Sequence, residues 1–234
     1  MASMFEDILV ICSDDANWSR ALAYASSLAA PCRARLTALP RPGQPAPDIA
    51  TNLRDQIVHC RAAPADAIGF HAAWADVLVI DSACAGAGLE SVVVDSARPC
   101  IVLPDAAPLH APRRIAVGWN GSLESMRALK AVLPLLRAAG QVVLLDAGVC
   151  AHEHCSAPPC AMSYLVEHGV VATHVRSGGD MATAARRIVD LAAAHGADLL
   201  VLGAWRHRRF SDWDTGAVVT QALQSAAIPV LLAH

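Results

Sequence analysis

The second half of the chain alternates between unbroken apolar runs and stretches of helical periodicity. Largely apolar runs at Arg114–Trp119, Gln141–Ala147, Asp198–Leu202 and Pro229–Ala233 predict strands, with a further short strand at Ala172–Arg176. Helical spacing covers Leu123–Ala138, Ala161–His168, Met181–His195 and Gly216–Ser225 between them. Gly196 stands just past the third of these helices and predicts its C′ stop. Pro134 lies inside the first and predicts a kink there. Continuous apolar strands alternating with helices predict right-handed βαβ units. The sheet is then parallel and covered on both faces.

The first half carries the same pattern. "ILVICSDDANWSRAL" from Ile8 matches "IAVGWNGSLESMRAL" from Ile115. "ADVLVID" from Ala75 matches "ADLLVLG" from Ala197, and "ARPCIVLP" from Ala97 matches "AIPVLLAH" from Ala227. The offsets grow from 107 to 122 to 130 residues while the order is kept. A repeat of this length means two similar domains. Their boundary falls in "LPDAAPLHAPRR", Leu103 to Arg114, where Pro104, Pro108 and Pro112 mark a linker. The predicted domains are residues 1–105 and 113–234. The stretch from Cys32 to Ala75 has room for one strand and about two helical segments. With the proline-rich Leu39–Ala50 in it, it predicts a shrunken sheet for the first domain.

Composition narrows the function classes. Of 234 residues, 55% are hydrophobic and only 4% aromatic, so the core is Ala, Val and Leu packing. The net charge of −3 speaks against a broad nucleic-acid surface and against polybasic membrane binding. No run of 18 apolar residues predicts a membrane span, and MASMFEDILV lacks the pattern of a signal peptide. The expected location is the cytoplasm. There Cys12, Cys32, Cys60, Cys84 and Cys100 read as small buried hydrophobes.

In an open parallel sheet, ligands bind beyond the carboxyl ends of the strands, where the strand order reverses. In the second domain those ends are Trp119–Ser122, the Cys150–Cys160 loop and Gly203–Gly216. Their residues resemble the universal stress proteins, small α/β domains often found in tandem, many of which bind ATP. The family's nucleotide loop reads Gly, two residues, Gly, nine residues, Gly, then Ser or Thr. Gly203, Arg206, Gly216 and Ala217 stand at that spacing. Arg206 replaces the second glycine and Ala217 the closing hydroxyl. Asn120 stands where the family has an Asp facing the adenosine, and the family-like Gly121-Ser122 follows. "GADLLVLGA" and "AIPVLLAH" add to the likeness, which covers nearly the whole second domain and the first more loosely.

The resemblance implies two tandem doubly wound, Rossmann-like domains of the adenine-nucleotide α-hydrolase-like type. It implies a non-enzymatic stress-response protein, with an adenine nucleotide such as ATP as candidate ligand of Asn120, Gly121, Ser122, Gly203, Arg206, Gly216 and Ala217. It also implies an intramolecular pseudo-dimer through the last strand of each domain, with a homodimer as a further state.

A phosphate site needs backbone N–H groups aimed at the anion, usually from a helix N-terminus. Gly216 and the amides after it can supply them. Arg206 restricts the backbone where glycine would allow close approach; its guanidinium can pair with phosphate, fill the pocket or face solvent. The tract Arg206-His207-Arg208-Arg209 is a solvated loop or a phosphate or partner contact. The first domain has Ser13-Asp14-Asp15 at its rim and a last loop shortened around Gly86 and Gly88. It reads as structural.

"CAHEHCSAPPC" places Cys150, His152, His154, Cys155 and Cys160 within eleven residues. These are zinc or copper ligand types, though not at a standard finger spacing. A functionless cluster, a metal site and a thiol pair such as Cys155 with Cys160 all stay open, so the alternative function is a metal- or thiol-responsive binding protein. No Gly-x-Ser-x-Gly elbow, Walker loop or His-Glu-x-x-His motif points to an enzyme. A nucleotide hydrolase would need a rim carboxylate, for which Asp146, Asp212 and Asp214 are the candidates.

Overall fold

A computed structural model describes residues 5–12, 15–31, 33–40, 57–60, 67–82, 89–146, 160–178, 181–204 and 215–234. The chain divides into two compact units, Met1–Ala111 and Pro112–His234. Each is described by itself. Among the described residues, no helix is long and apolar enough to cross a membrane.

Unit 1 contains β1 (Asp7–Cys12), α1 (Asp15–Ala29), β2 (Arg35–Pro40), β3 (Ile57–Cys60), α2 (Ala67–Ala72), β4 (Val77–Asp81), α3 (Leu89–Ser96) and β5 (Cys100–Leu103). Its strands lie in the order β3-β2-β1-β4-β5, and the pairings β1–β2, β2–β3, β1–β4 and β4–β5 are parallel. The expected shrunken sheet is corrected here: among the described residues unit 1 has five strands, as unit 2 does. What is short is its helix α2, six residues long. The stretch 57–60, with its Val and Ile, pairs as an edge strand. Period alone cannot identify so short an apolar run.

Unit 2 contains β6 (Arg114–Trp119), α4 (Leu123–Ala138), β7 (Gln141–Asp146), α5 (Ala161–Glu167), β8 (Thr173–Arg176), α6 (Met181–Ala194), β9 (Leu199–Gly203), α7 (Thr215–Ser225) and β10 (Val230–Ala233). Its order, β10-β9-β6-β7-β8, is again five strands, and every pairing is parallel. The predicted elements recur with ends unchanged or shifted by one residue. Helix α4 holds Pro134 within a single span.

Burial follows the pattern that the sequence sets. Four of the five residues of β9 and all of β10 are buried. Helix α4 buries Ala128, Leu129, Val132, Leu133, Leu135 and Leu136, the stripe that helical spacing predicts. Helix α6 ends in a Schellman motif: Ala197 N–H donates to the Ala192 carbonyl and Gly196 N–H to that of Ala193. Gly196 takes φ +62° there, which a side chain would oppose.

One device recurs in both units. The Asp198 carboxylate accepts the backbone N–H groups of Arg113 and Arg114, at 3.0 and 2.8 Å. The Asp76 carboxylate accepts those of Glu6 and Asp7, at 2.7 and 3.0 Å. In each case an aspartate before the fourth strand of its unit fastens the start of the first. The paired "AD" of the two repeats was its signal in the sequence.

Candidate functional site at the carboxyl ends of β6 and β9

In unit 2 the chain runs outward from β6 to β7 and β8, then returns to β9 and β10 on the other side of β6. The order therefore reverses between β6 and β9, which opens a crevice beyond their carboxyl ends. Pairing of Val117 with Val201 sets Trp119 and Gly203 at one level on this rim. Trp119 pairs onward with Asp146, and Asp146 with Arg176.

The turn out of β6 is built by its own side chains. The Asn120 carboxamide oxygen accepts the Ser122 N–H at 3.1 Å. Gly121 takes φ +72°. Ser122 caps α4: its hydroxyl accepts the Ser125 N–H at 3.1 Å, and the Ser125 hydroxyl donates back to the Ser122 carbonyl at 2.8 Å. Asx turns and serine caps compete well for such amides. Ser122, predicted as a ligand contact, is thus buried and committed to the helix. Asn120 uses its oxygen in the turn, which leaves its amide NH₂ as the group it offers.

Gly203 has a packing reason to be glycine. A Cβ there would lie 2.5 Å from both the Glu124 carbonyl carbon and the Ser125 nitrogen. The first turn of α4 rests directly on the end of β9, and no side chain fits between them. Glu124 is itself buried. A carboxylate in the first turn suits the helix dipole, but it opposes a second anion at this helix. The backbone of Gly216 and Ala217 lies in the first turn of α7, so the predicted helix opening is present.

One strand further out, Arg176 Nε lies 3.4 Å and His174 Nε2 3.8 Å from the Asp146 carboxylate. The sequence had marked Asp146 only as a carboxylate near the rim. The structure sets it two strand spacings, about 10 Å, from Gly203, with a guanidinium beside it.

Arg206, Asp212 and Asp214 lie outside the described residues, as do Cys150, His152, His154 and Cys155. Of the Cys/His loop, Cys160 is described. It caps α5, with Sγ accepting the Ser163 N–H at 3.5 Å and lying 3.3 Å from the Ser163 hydroxyl. Those contacts, the hydroxyl first and then the N–H, hold its thiol below the usual cysteine range. Among the described residues, no group of three or more His, Cys, Asp or Glu could hold a metal ion.

Residues 161–234 match the family model described as Usp: Universal stress protein family. Over the whole chain, the structure is similar to that of a universal stress protein from Archaeoglobus fulgidus DSM 4304. That protein is 12% identical at a TM-score of 0.70, with 99% of this chain and 96% of that chain covered. It is also similar to a functionally unknown protein from Pseudomonas aeruginosa PAO1, 15% identical at a TM-score of 0.66, covering 98% and 92%. No curated protein matches. At these identities the likeness establishes the α/β fold.

Proposed function

We infer that the chain is a cytoplasmic, non-enzymatic binding protein of the universal stress type, and that unit 2 takes an adenine nucleotide in the crevice between β6 and β9. The observation that carries this reading is a coincidence. The strand-order reversal falls where the residues from Gly203 to Ala217 keep the family spacing and lead into α7. Phosphates would sit on the first-turn amides of α7, with Arg206 as their counter-charge, and the Asn120 NH₂ would face the nucleoside. Ser122 and Gly203 would act by shaping the walls. Calorimetry with ATP, ADP and AMP tests the reading. Saturable heat with one nucleotide per chain, weakened by Arg206→Ala, is the expected result. No heat at millimolar nucleotide, with and without magnesium, would reject it.

A second reading rests on Cys160. Its half-buried thiol is held toward the thiolate by Ser163, which suits a thiol-responsive protein. Thiol trapping during mild oxidation tests it: Cys160 in a disulfide or sulfenic acid ahead of the other cysteines supports it, and equal oxidation of all rejects it.

A further inference from the structure

The two repeats differ sharply at one strand-end position, half-buried in unit 2 and buried in unit 1. Ile8 pairs with Val77 in unit 1 and Ile115 with Leu199 in unit 2. Both pairs open the matched strands β4 and β9, so Asp81, the last residue of β4, stands where Gly203 ends β9. The next step matches as well. Ser82 N–H donates to the Leu103 carbonyl at 2.9 Å, and Ala204 N–H to that of Ala233 at 2.8 Å.

In unit 2 this position admits no Cβ, because the first turn of α4 lies against it. In unit 1 the same position carries a whole carboxylate at 3% exposure. Helix α1 packs mainly on β1 and less on β4, whereas α4 packs mainly on β9, so the end of β4 has room for a side chain. A carboxylate so buried persists only when hydrogen-bonded or paired. Gly203 faces the first turn of α4, and the first turn of α1 is the matching segment of unit 1. The first turn of a helix carries N–H groups without partners in the helix itself, and the positive end of the helix dipole.

We propose that Asp81 is the internal anion of unit 1, lodged at the N-terminus of α1, and that it closes the β1–β4 crevice to phosphate-bearing ligands. The order β3-β2-β1-β4-β5 reverses between β1 and β4, so unit 1 has a crevice of the kind that takes ligands in such folds. Asp81 ends one of its two strands. Its charge repels a second anion, and its oxygens take the amides that an anion would use. Of two similar units, unit 1 is then the silent one. The nucleotide reading of unit 2 is independent of this assignment.

Anion rescue tests it without any nucleotide. The melting midpoint is measured for the wild type, Asp81→Gly and Asp81→Asn in sodium formate and in sodium chloride of equal ionic strength. Asp81→Gly is expected to melt several degrees below wild type and to recover part of that loss in formate but not in chloride. The wild type should respond equally to both salts. Asp81→Asn keeps the shape without the charge and should melt lower in both. A midpoint for Asp81→Asn equal to wild type overturns the proposal, as does an Asp81→Gly variant indifferent to formate. Should Asp81→Gly not fold, the Asn variant decides.

Discussion

The Asp198 carboxylate receives the backbone N–H of Arg114 at 2.8 Å while its own N–H donates to the Arg114 carbonyl at the same distance. Asp198 is buried, and a second backbone donor, Arg113, points at the same carboxylate. Cutting this clasp leaves two backbone donors without their acceptor. Asp198→Ala is expected to lose about 2–4 kcal/mol of stability, since a stranded buried donor costs about 1–3 kcal/mol and these two bonds are part-buried. The matching Asp76→Ala should lose less, because its bond to Glu6 is exposed. Urea unfolding of both variants checks the order; equal losses would contradict it.

Gly203→Ala puts a methyl group 2.5 Å from the backbone of α4, and backbone yields less readily than a flexible side chain. A destabilisation of about 1–3 kcal/mol is expected, as for overpacking in general. Gly69 is the control. It lies in α2, and a Cβ there would meet nothing within 4 Å. Gly69→Ala should be neutral or stabilising by up to about 1 kcal/mol. If both changes act alike, the packing account of Gly203 fails.

Removing the cap at Ser122 affects the same first turn of α4. Ser122→Ala should cost about 1 kcal/mol and Ser122→Thr less, because a threonine keeps the hydroxyl that accepts the Ser125 N–H. Denaturant unfolding gives the cost, and amide exchange in the first turn of α4 locates it.

Ser163 holds the Cys160 thiol below its usual range, so the thiolate forms at lower pH than in a free cysteine. Iodoacetamide labelling of Cys160, followed by peptide mass spectrometry, should rise with pH ahead of a small free thiol. Ser163→Ala should move that rise upward. Labelling of Cys100, buried in β5, should be slow throughout. A Ser163→Ala profile that superimposes on wild type would remove the hydrogen bonds as the cause.

The amino-acid sequence by itself determined the elements of unit 2 and their class. Leu123–Ala138 and Met181–Ala194 have unambiguous apolar stripes, and Gly196 ends α6 as predicted because the turn there needs φ near +60°. It also marked the crevice, since strand ends and glycines are local features. It misjudged Ile57–Cys60, whose pairing with β2 depends on a neighbour that no local period reveals. Tertiary structure alone decided what the shared positions do. Gly203 reads as a nucleotide glycine along the chain, yet in three dimensions the backbone of α4 occupies the place of its Cβ. Asp76 and Asp198 look like surface acids beside their strands, yet each clasps a segment about 70 or 85 residues away. Asp81 differs from Gly203 by one letter, and only its burial at the end of β4 makes that letter an internal charge. Local periodicity records which face is apolar. It carries no record of which distant backbone comes to rest against a given residue.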